Sequence, residues 1–119
     1  MYKISKTFDF SASHTLTLGE GHPCSRLHGH NYTVTLVLRG ELDEHGMVVD
    51  YRKLASFKGY LDDYLDHRHL NEVLDFEPTA ELLARHLYEI ASRLFSETYQ
   101  VMVSETSKTT AIYGGDDAI

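Results

Sequence analysis

The sequence predicts an α+β fold: an antiparallel four-stranded sheet with two helices on one face, in the order β–β–α–α–β–β. Two observations carry that prediction. Apolar and polar residues alternate near both ends of the chain, which is the period-2 mark of half-buried strands. Through the middle, apolar residues recur at three- and four-residue steps, which is the mark of helices packed on a core. The 119 residues are 42% hydrophobic and 24% charged, enough for one core, and no Pro/Ser-rich linker or fixed-period repeat divides them. A single domain over residues 1–119 is therefore expected.

Each element follows in order. Tyr2, Ile4, Phe8 and Phe10 alternate with Lys3, Ser5, Thr7 and Asp9 to give the first strand, which ends at His14. Residues 15–27 hold Gly19, Gly21 and Pro23 among polar neighbours and read as a loop. Tyr32, Val34, Leu36 and Leu38 give the second strand, closed by the turn between Gly40 and Gly46. After Asp50, a suitable N-cap, the spacing of Leu54, Phe57, Leu61, Tyr64 and Leu65 predicts the first helix. The second starts near Pro78 and Thr79 and presents Leu83, Leu87, Ile90 and Leu94 as one stripe. Alternation returns at Tyr99, Val101 and Val103, and a last short strand covers 111–113. A sheet this small has two open edges, so oligomerisation that closes them, as in a barrel, is expected.

Composition narrows the function classes. A net charge of −7 argues against a general nucleic-acid binder. No apolar run approaches the roughly 20 residues that span a bilayer, and the first thirty residues do not read as a signal peptide. One cysteine excludes an intrachain disulfide framework and a Cys₂ or Cys₄ zinc cage, which points to a reducing compartment, the cytoplasm. The unusual count is histidine, eight residues.

Two of them sit in Cys24-Ser25-Arg26-Leu27-His28-Gly29-His30-Asn31-Tyr32, at the entry to the second strand. Residues two apart in a strand share a face, so His28 and His30 can point at one ion, with Gly29 leaving the other face uncrowded. An antiparallel pairing lays the end of the first strand, His14, beside them. Three His ligands with a fourth position left for water or substrate make a catalytic zinc site, and imidazole donors favour zinc over magnesium or calcium. Isolated His-x-His pairs are common without metal; the third His and the nearby Cys24 raise this one above that background. His22 and His45 lie in loops and read as surface residues.

Cys24 fits several roles from its residue type alone: a small buried hydrophobe, a fourth metal ligand, a nucleophile or a general base. In Leu65-Asp66-His67-Arg68-His69-Leu70-Asn71, an Asp beside a His can orient the imidazole for acid–base work. The same stretch also reads as a helix end carrying solvated cations. Glu105 shares the parity of Val101 and Val103, so its carboxylate needs a partner on the core face unless it emerges into water. A planar guanidine-like donor would supply one. Thr79 and Glu81 read first as an N-cap and a first-turn acid.

Together the stretches FSASHTL (10–16), CSRLHGHNYTV (24–34), MVVDY (47–51), LDHRHLN (65–71), PTAE (78–81) and SETSKTTAIY (104–113) resemble the 6-pyruvoyltetrahydropterin synthase/6-carboxytetrahydropterin synthase family over nearly the whole chain. Three residues between Cys24 and His28 resemble the bacterial 6-carboxytetrahydropterin synthases of queuosine and 7-deazapurine biosynthesis; the animal pyruvoyl-forming enzymes carry a longer insertion there. The resemblance implies the tunnelling fold, with subunits closing into a barrel and trimers stacking into a homohexamer. It implies one Zn²⁺ per subunit on His14, His28 and His30, with Cys24 as catalytic base and not a ligand. It implies Asp66 and His67 as a second proton-transfer pair contributed across a subunit interface. Glu105, helped by Thr79 and Glu81, would anchor the pterin ring.

The implied substrate is 7,8-dihydroneopterin triphosphate, and the implied products are 6-carboxy-5,6,7,8-tetrahydropterin, acetaldehyde and triphosphate. Elimination of triphosphate without side-chain cleavage, giving the pyruvoyl product, is the nearest alternative. A non-catalytic zinc or pterin-binding module and a hydrolase using metal-bound hydroxide are the others. Arg26, Arg68 and Lys108 are candidate triphosphate contacts or simple solubility charges. His69 and the acidic tail 114–119 carry no role.

Overall fold

The computed structural model describes residues 1–19 and 21–115. Strand β1, Tyr2–His14, pairs antiparallel with β2, His28–Gly40, along its full length, from Tyr2↔Gly40 to His14↔His28. A one-turn 3₁₀ helix, Pro23–Ser25, lies in the connection. A second 3₁₀ turn, Tyr51–Leu54, leads into α1, Ala55–Tyr60, which continues as a π-helical turn, Leu61–Leu65. Asp50 caps this run, accepting from the Arg52 N–H at 2.9 Å. Strand β3, Arg68–His69, helix α2, Leu70–Val73, and helix α3, Ala80–Leu94, follow. Strands β4, Thr98–Thr106, and β5, Thr109–Gly114, complete the sheet.

The sheet has five strands in the order β3-β1-β2-β4-β5, not the expected four. The extra strand is parallel to β1 and contributes two residues, pairing Arg68 with Ala12 and His69 with Ser13. Two residues are too few to show a period, so alternation could not reveal it. What holds it is a pair of anchors on Ser11: its N–H donates to Asp66 Oδ1 at 2.9 Å, and its carbonyl accepts from the His67 N–H at 2.6 Å.

The helices cover one face of the sheet. Phe8, Phe10, Tyr32, Val34, Leu36, Val101 and Val103 meet Leu54, Phe57, Leu61, Leu65, Leu83, Ala84, Leu87 and Ala91 in one buried cluster. Two expected core residues are displaced. The π-helical turn widens the spacing after Leu61, so Tyr64 is 59% exposed while Leu65 is buried. In α3 the stripe follows Leu83, Ala84, Leu87 and Ala91, so Leu94 emerges at the helix end. The other face carries the polar partners of the alternation, with Lys3, Ser5, Thr7 and Asp9 exposed. Among the described residues, no helix is long and apolar enough to cross a membrane.

Candidate metal centre and active site

Strand alternation does most of the work of building the site. The register Phe10↔Tyr32, Ala12↔His30 and His14↔His28 puts all three histidines at the same end of the sheet, on its helix-covered side. Their ring nitrogens lie within 4.8 Å of one another. His14 is fully buried and His28 and His30 are half-buried.

The second hydrogen-bonding atom of two rings fixes what the first can do. His14 Nδ1 donates to the Pro78 carbonyl at 2.8 Å, and His28 Nδ1 donates to the Arg26 carbonyl at 2.7 Å. In its neutral form each ring therefore presents a lone pair at Nε2, and these two atoms are 2.9 Å apart. Burial lowers the His30 pKa, against the pull of Glu105. Glu105 Oε2, from β4, lies 3.4 Å from both His14 Nε2 and His30 Nε2. Two imidazole lone pairs, the His30 ring and a carboxylate thus converge, an arrangement that suits a cation. Nitrogens about 2.0–2.1 Å from a tetrahedral Zn²⁺ sit about 3.3 Å from each other, a value that the observed separations bracket. The donor set fits zinc.

Cys24 sits half-buried in the 3₁₀ turn four residues before His28. Its carbonyl accepts from the Leu16 N–H at 2.9 Å, which ties the turn to the chain just past His14. His22, read from sequence as a surface residue, caps that turn by accepting from the Cys24 N–H at 3.1 Å. His45 is exposed, as expected.

Asp66 and His67 form the expected pair, with His67 Nδ1 donating to Asp66 Oδ2 at 2.9 Å. The Ser11 N–H, first, and then His67 hold the Asp66 carboxyl below the usual range. His67 adopts a left-handed φ of 59°, and its side chain is 83% exposed. It lines an open groove of about 450 Å³ that Ser11, Ser13, Asn31 and His69 share and that Ala12 and His30 also border. The side chains of Ser11, Ser13 and Asn31 alternate with those of His14, His28 and His30, so they project to the opposite face of the β1–β2 ribbon. Among the described residues, the hydrogen bonds of the Asp66–His67 pair run to Ser11 and not to the histidine cluster.

The remaining candidates have local partners. Thr79 Oγ1 accepts from the Leu82 N–H at 3.1 Å as the α3 N-cap, and Glu81 is exposed in the first turn. Pro78, which receives the His14 proton, directly precedes that cap. Arg68 donates to the Asp63 carbonyl at 3.0 Å, Arg26 is exposed, and Lys108 occupies the β4–β5 turn. Sequence reasoning missed the hydroxyl of Tyr32, 3.2 Å from His14 Nδ1, although its parity with His28 and His30 was a usable signal. It also missed the Arg26 and Pro78 carbonyls, which no side-chain pattern announces. The acidic tail beyond Gly115 lies outside the described residues.

The chain is similar to known proteins in sequence and in fold. The family profile "6-pyruvoyl tetrahydropterin synthase" matches residues 3–116. The 6-carboxy-5,6,7,8-tetrahydropterin synthase of Bacillus subtilis is 30% identical, over 94% of this chain and 84% of that protein. The protein of the same name from Haemophilus influenzae is 29% identical, over 91% of this chain and 78% of its own length. Among solved structures, the 6-pyruvoyl tetrahydropterin synthase of Caenorhabditis elegans superposes with a TM-score of 0.86 at 30% identity, covering 97% of this chain and 96% of that one.

Proposed function

The chain belongs to the 6-pyruvoyl tetrahydropterin synthase family, and from that premise we propose that it is a lyase, a 6-carboxy-5,6,7,8-tetrahydropterin synthase. It converts 7,8-dihydroneopterin triphosphate to 6-carboxy-5,6,7,8-tetrahydropterin, acetaldehyde and triphosphate, with one Zn²⁺ per subunit. The observation that carries the reading is the convergence of three imidazoles beside Glu105. The three-residue spacing from Cys24 to His28, as in the bacterial carboxy-forming enzymes, favours this product.

Zinc held by His14, His28 and His30 would acidify the C–H bonds of the substrate side chain by drawing electron density from its oxygens. Cys24, as thiolate, takes one of those protons. His67 moves another, with Asp66 fixing the ring through Nδ1 so that Nε2 faces the substrate. Glu105 accepts hydrogen bonds from the amino-pyrimidine edge of the ring, helped by Thr79 and Glu81.

The exposure of His67, in the groove that it shares with Ser11, Ser13 and Asn31, supports a site completed by a neighbouring subunit. Among the described residues, the outer edge of β1 before Ser11 and the outer edge of β5 have no strand partner, and pairing them around a ring would close a barrel. A homohexamer built as a dimer of trimers follows, each subunit a single domain over residues 1–119. The proposed setting is the cytoplasm, in queuosine or 7-deazapurine synthesis.

The pyruvoyl-forming reaction is the second reading, favoured by the structural likeness to the C. elegans enzyme. Mass spectrometry of the zinc-loaded protein with 7,8-dihydroneopterin triphosphate, beside an acetaldehyde assay, separates the two. A 6-carboxy product with acetaldehyde is expected. A pyruvoyl product without acetaldehyde assigns the second reading, and no turnover with tight pterin binding makes the protein a binding module. Chelation of the metal is expected to abolish turnover while leaving most of the fold; full activity without metal would overturn the zinc mechanism.

A further inference from the structure

We infer that Asn71 is a positioning residue for the metal centre: its carboxamide continues the sheet by one residue and fixes the strand end that carries His14. The inference rests on the zinc reading of His14, His28 and His30.

From Ser11 onward, the outer edge of β1 is paired with the segment after the π-helical turn. Ser11 is bonded through both backbone groups to Asp66 and His67, and β3 pairs at Ala12 and Ser13. There the strand partner ends, because the chain turns into α2 at Leu70. The next outward-facing backbone groups of β1's path belong to Thr15, directly after His14. Asn71 reaches back from α2 to meet both. Its Oδ1 accepts from the Thr15 N–H at 2.9 Å, and its Nδ2 donates to the Thr15 carbonyl at 2.9 Å. A carboxamide is the one side-chain group that offers an acceptor and a donor in the geometry of a backbone peptide.

His14 is consequently gripped from two sides. Its backbone faces His28 on β2, and the residue beside it is clamped by Asn71. The ring itself donates to the Pro78 carbonyl, at the far end of the same 71–78 segment. Glu77 Oε1 accepts from the Thr17 N–H at 2.6 Å, extending the brace past the histidine. Metal ligands tolerate displacements of only about 0.2 Å, so a loosened strand end weakens the centre before it unfolds the protein. Asn71 is exposed, and water can replace its hydrogen bonds in a variant. The metal therefore reports its loss more sharply than the fold does.

The test titrates metal-free protein with Co²⁺, followed by its visible absorption. It compares wild type with Asn71→Ala, Asn71→Asp and a control, Asp43→Ala. The control removes a similar pair of side-chain-to-backbone bonds, from the His45 N–H at 2.8 Å and the Met47 N–H at 3.0 Å, in a remote turn. Asn71→Asp places an oxygen against the Thr15 carbonyl and removes the donor. Both Asn71 variants are expected to bind Co²⁺ about tenfold more weakly, with the control unchanged and the metal-free melting temperatures of all variants similarly affected. Unchanged affinity in Asn71→Ala, or an equal loss in Asp43→Ala, overturns the assignment. Absence of Co²⁺ binding by wild type itself instead overturns the zinc centre. Hydrogen exchange on the unaltered protein supplies a second measurement: the Thr15 amide is expected to exchange slowly although it lies beyond β3, and fast exchange refutes the clamp.

Discussion

Co-expressing Cys24→Ala and His67→Ala chains in equal amounts is expected to restore about a quarter of wild-type activity, although each variant alone falls by roughly a hundredfold or more. The figure follows from which face carries which group. The histidine cluster lies on the helix-covered side of the sheet, with Cys24 in the turn that leads to His28, whereas His67, 83% exposed, lies in the groove that it shares with Ser11, Ser13 and Asn31. A site that takes Cys24 from one chain and His67 from its neighbour is intact only for one ordered pair. The first chain must be the His67→Ala variant and the second the Cys24→Ala variant. With random assembly each condition holds half the time, so about one quarter of sites recover. A site built within one chain recovers none, because every chain lacks one of the two groups. Product formation is measured on differently tagged, doubly purified oligomers, with native mass spectrometry confirming that both chains are present. Mixed oligomers no more active than either parent would refute the division of the site.

Three further outcomes follow from local geometry. A Cβ at Gly29 would lie 3.3 Å from the Ala12 carbonyl oxygen, held in place by the β1–β2 ladder, so Gly29→Ala is expected to cost about 1 kcal/mol in urea unfolding; an unchanged midpoint would show that the ribbon yields. The Asp50 carboxyl is held at about 2, first by its hydrogen bond to the Arg52 side chain and then by the Arg52 N–H. A depressed folded pKa means that its stabilisation is complete above the unfolded value of about 4 and disappears as the pH falls through 2. The stability gap between wild type and Asp50→Asn should therefore narrow between pH 5 and pH 2, and a gap constant with pH would contradict the ion pair. Thr79→Ala removes the α3 N-cap and is expected to lower stability by about 1 kcal/mol; if KM for the pterin rises as well, Thr79 also reaches the substrate.

The candidate site was legible where periodicity and residue chemistry coincide. His28 and His30 fall on one face of a strand because the pleat repeats every two residues, and that holds for any sheet into which the chain folds. Antiparallel pairing was expected to lay His14 beside them, and the register sets it opposite His28. Glu105 was legible as a carboxylate of core parity that needed a partner, and its neighbours proved to be His14 and His30. Tyr64 and Leu94 were misplaced because an unbroken helical period was carried through a π-helical turn and past the last buried turn of α3.

By itself, then, the sequence determined the alternating strands, the apolar helical stripes and the three imidazoles, since these depend on local repeat geometry and side-chain type. Only the tertiary structure decided which tautomers His14 and His28 adopt, because the deciding partners are the Pro78 and Arg26 carbonyls. It alone added β3, a strand of two residues held by Ser11, and the Asn71 clamp on Thr15. It alone put His67 in the groove that Ser11, Ser13 and Asn31 line. Backbone groups are the same in every residue, so which of them meet across tens of positions is set by the folded path and not by any pattern along the chain.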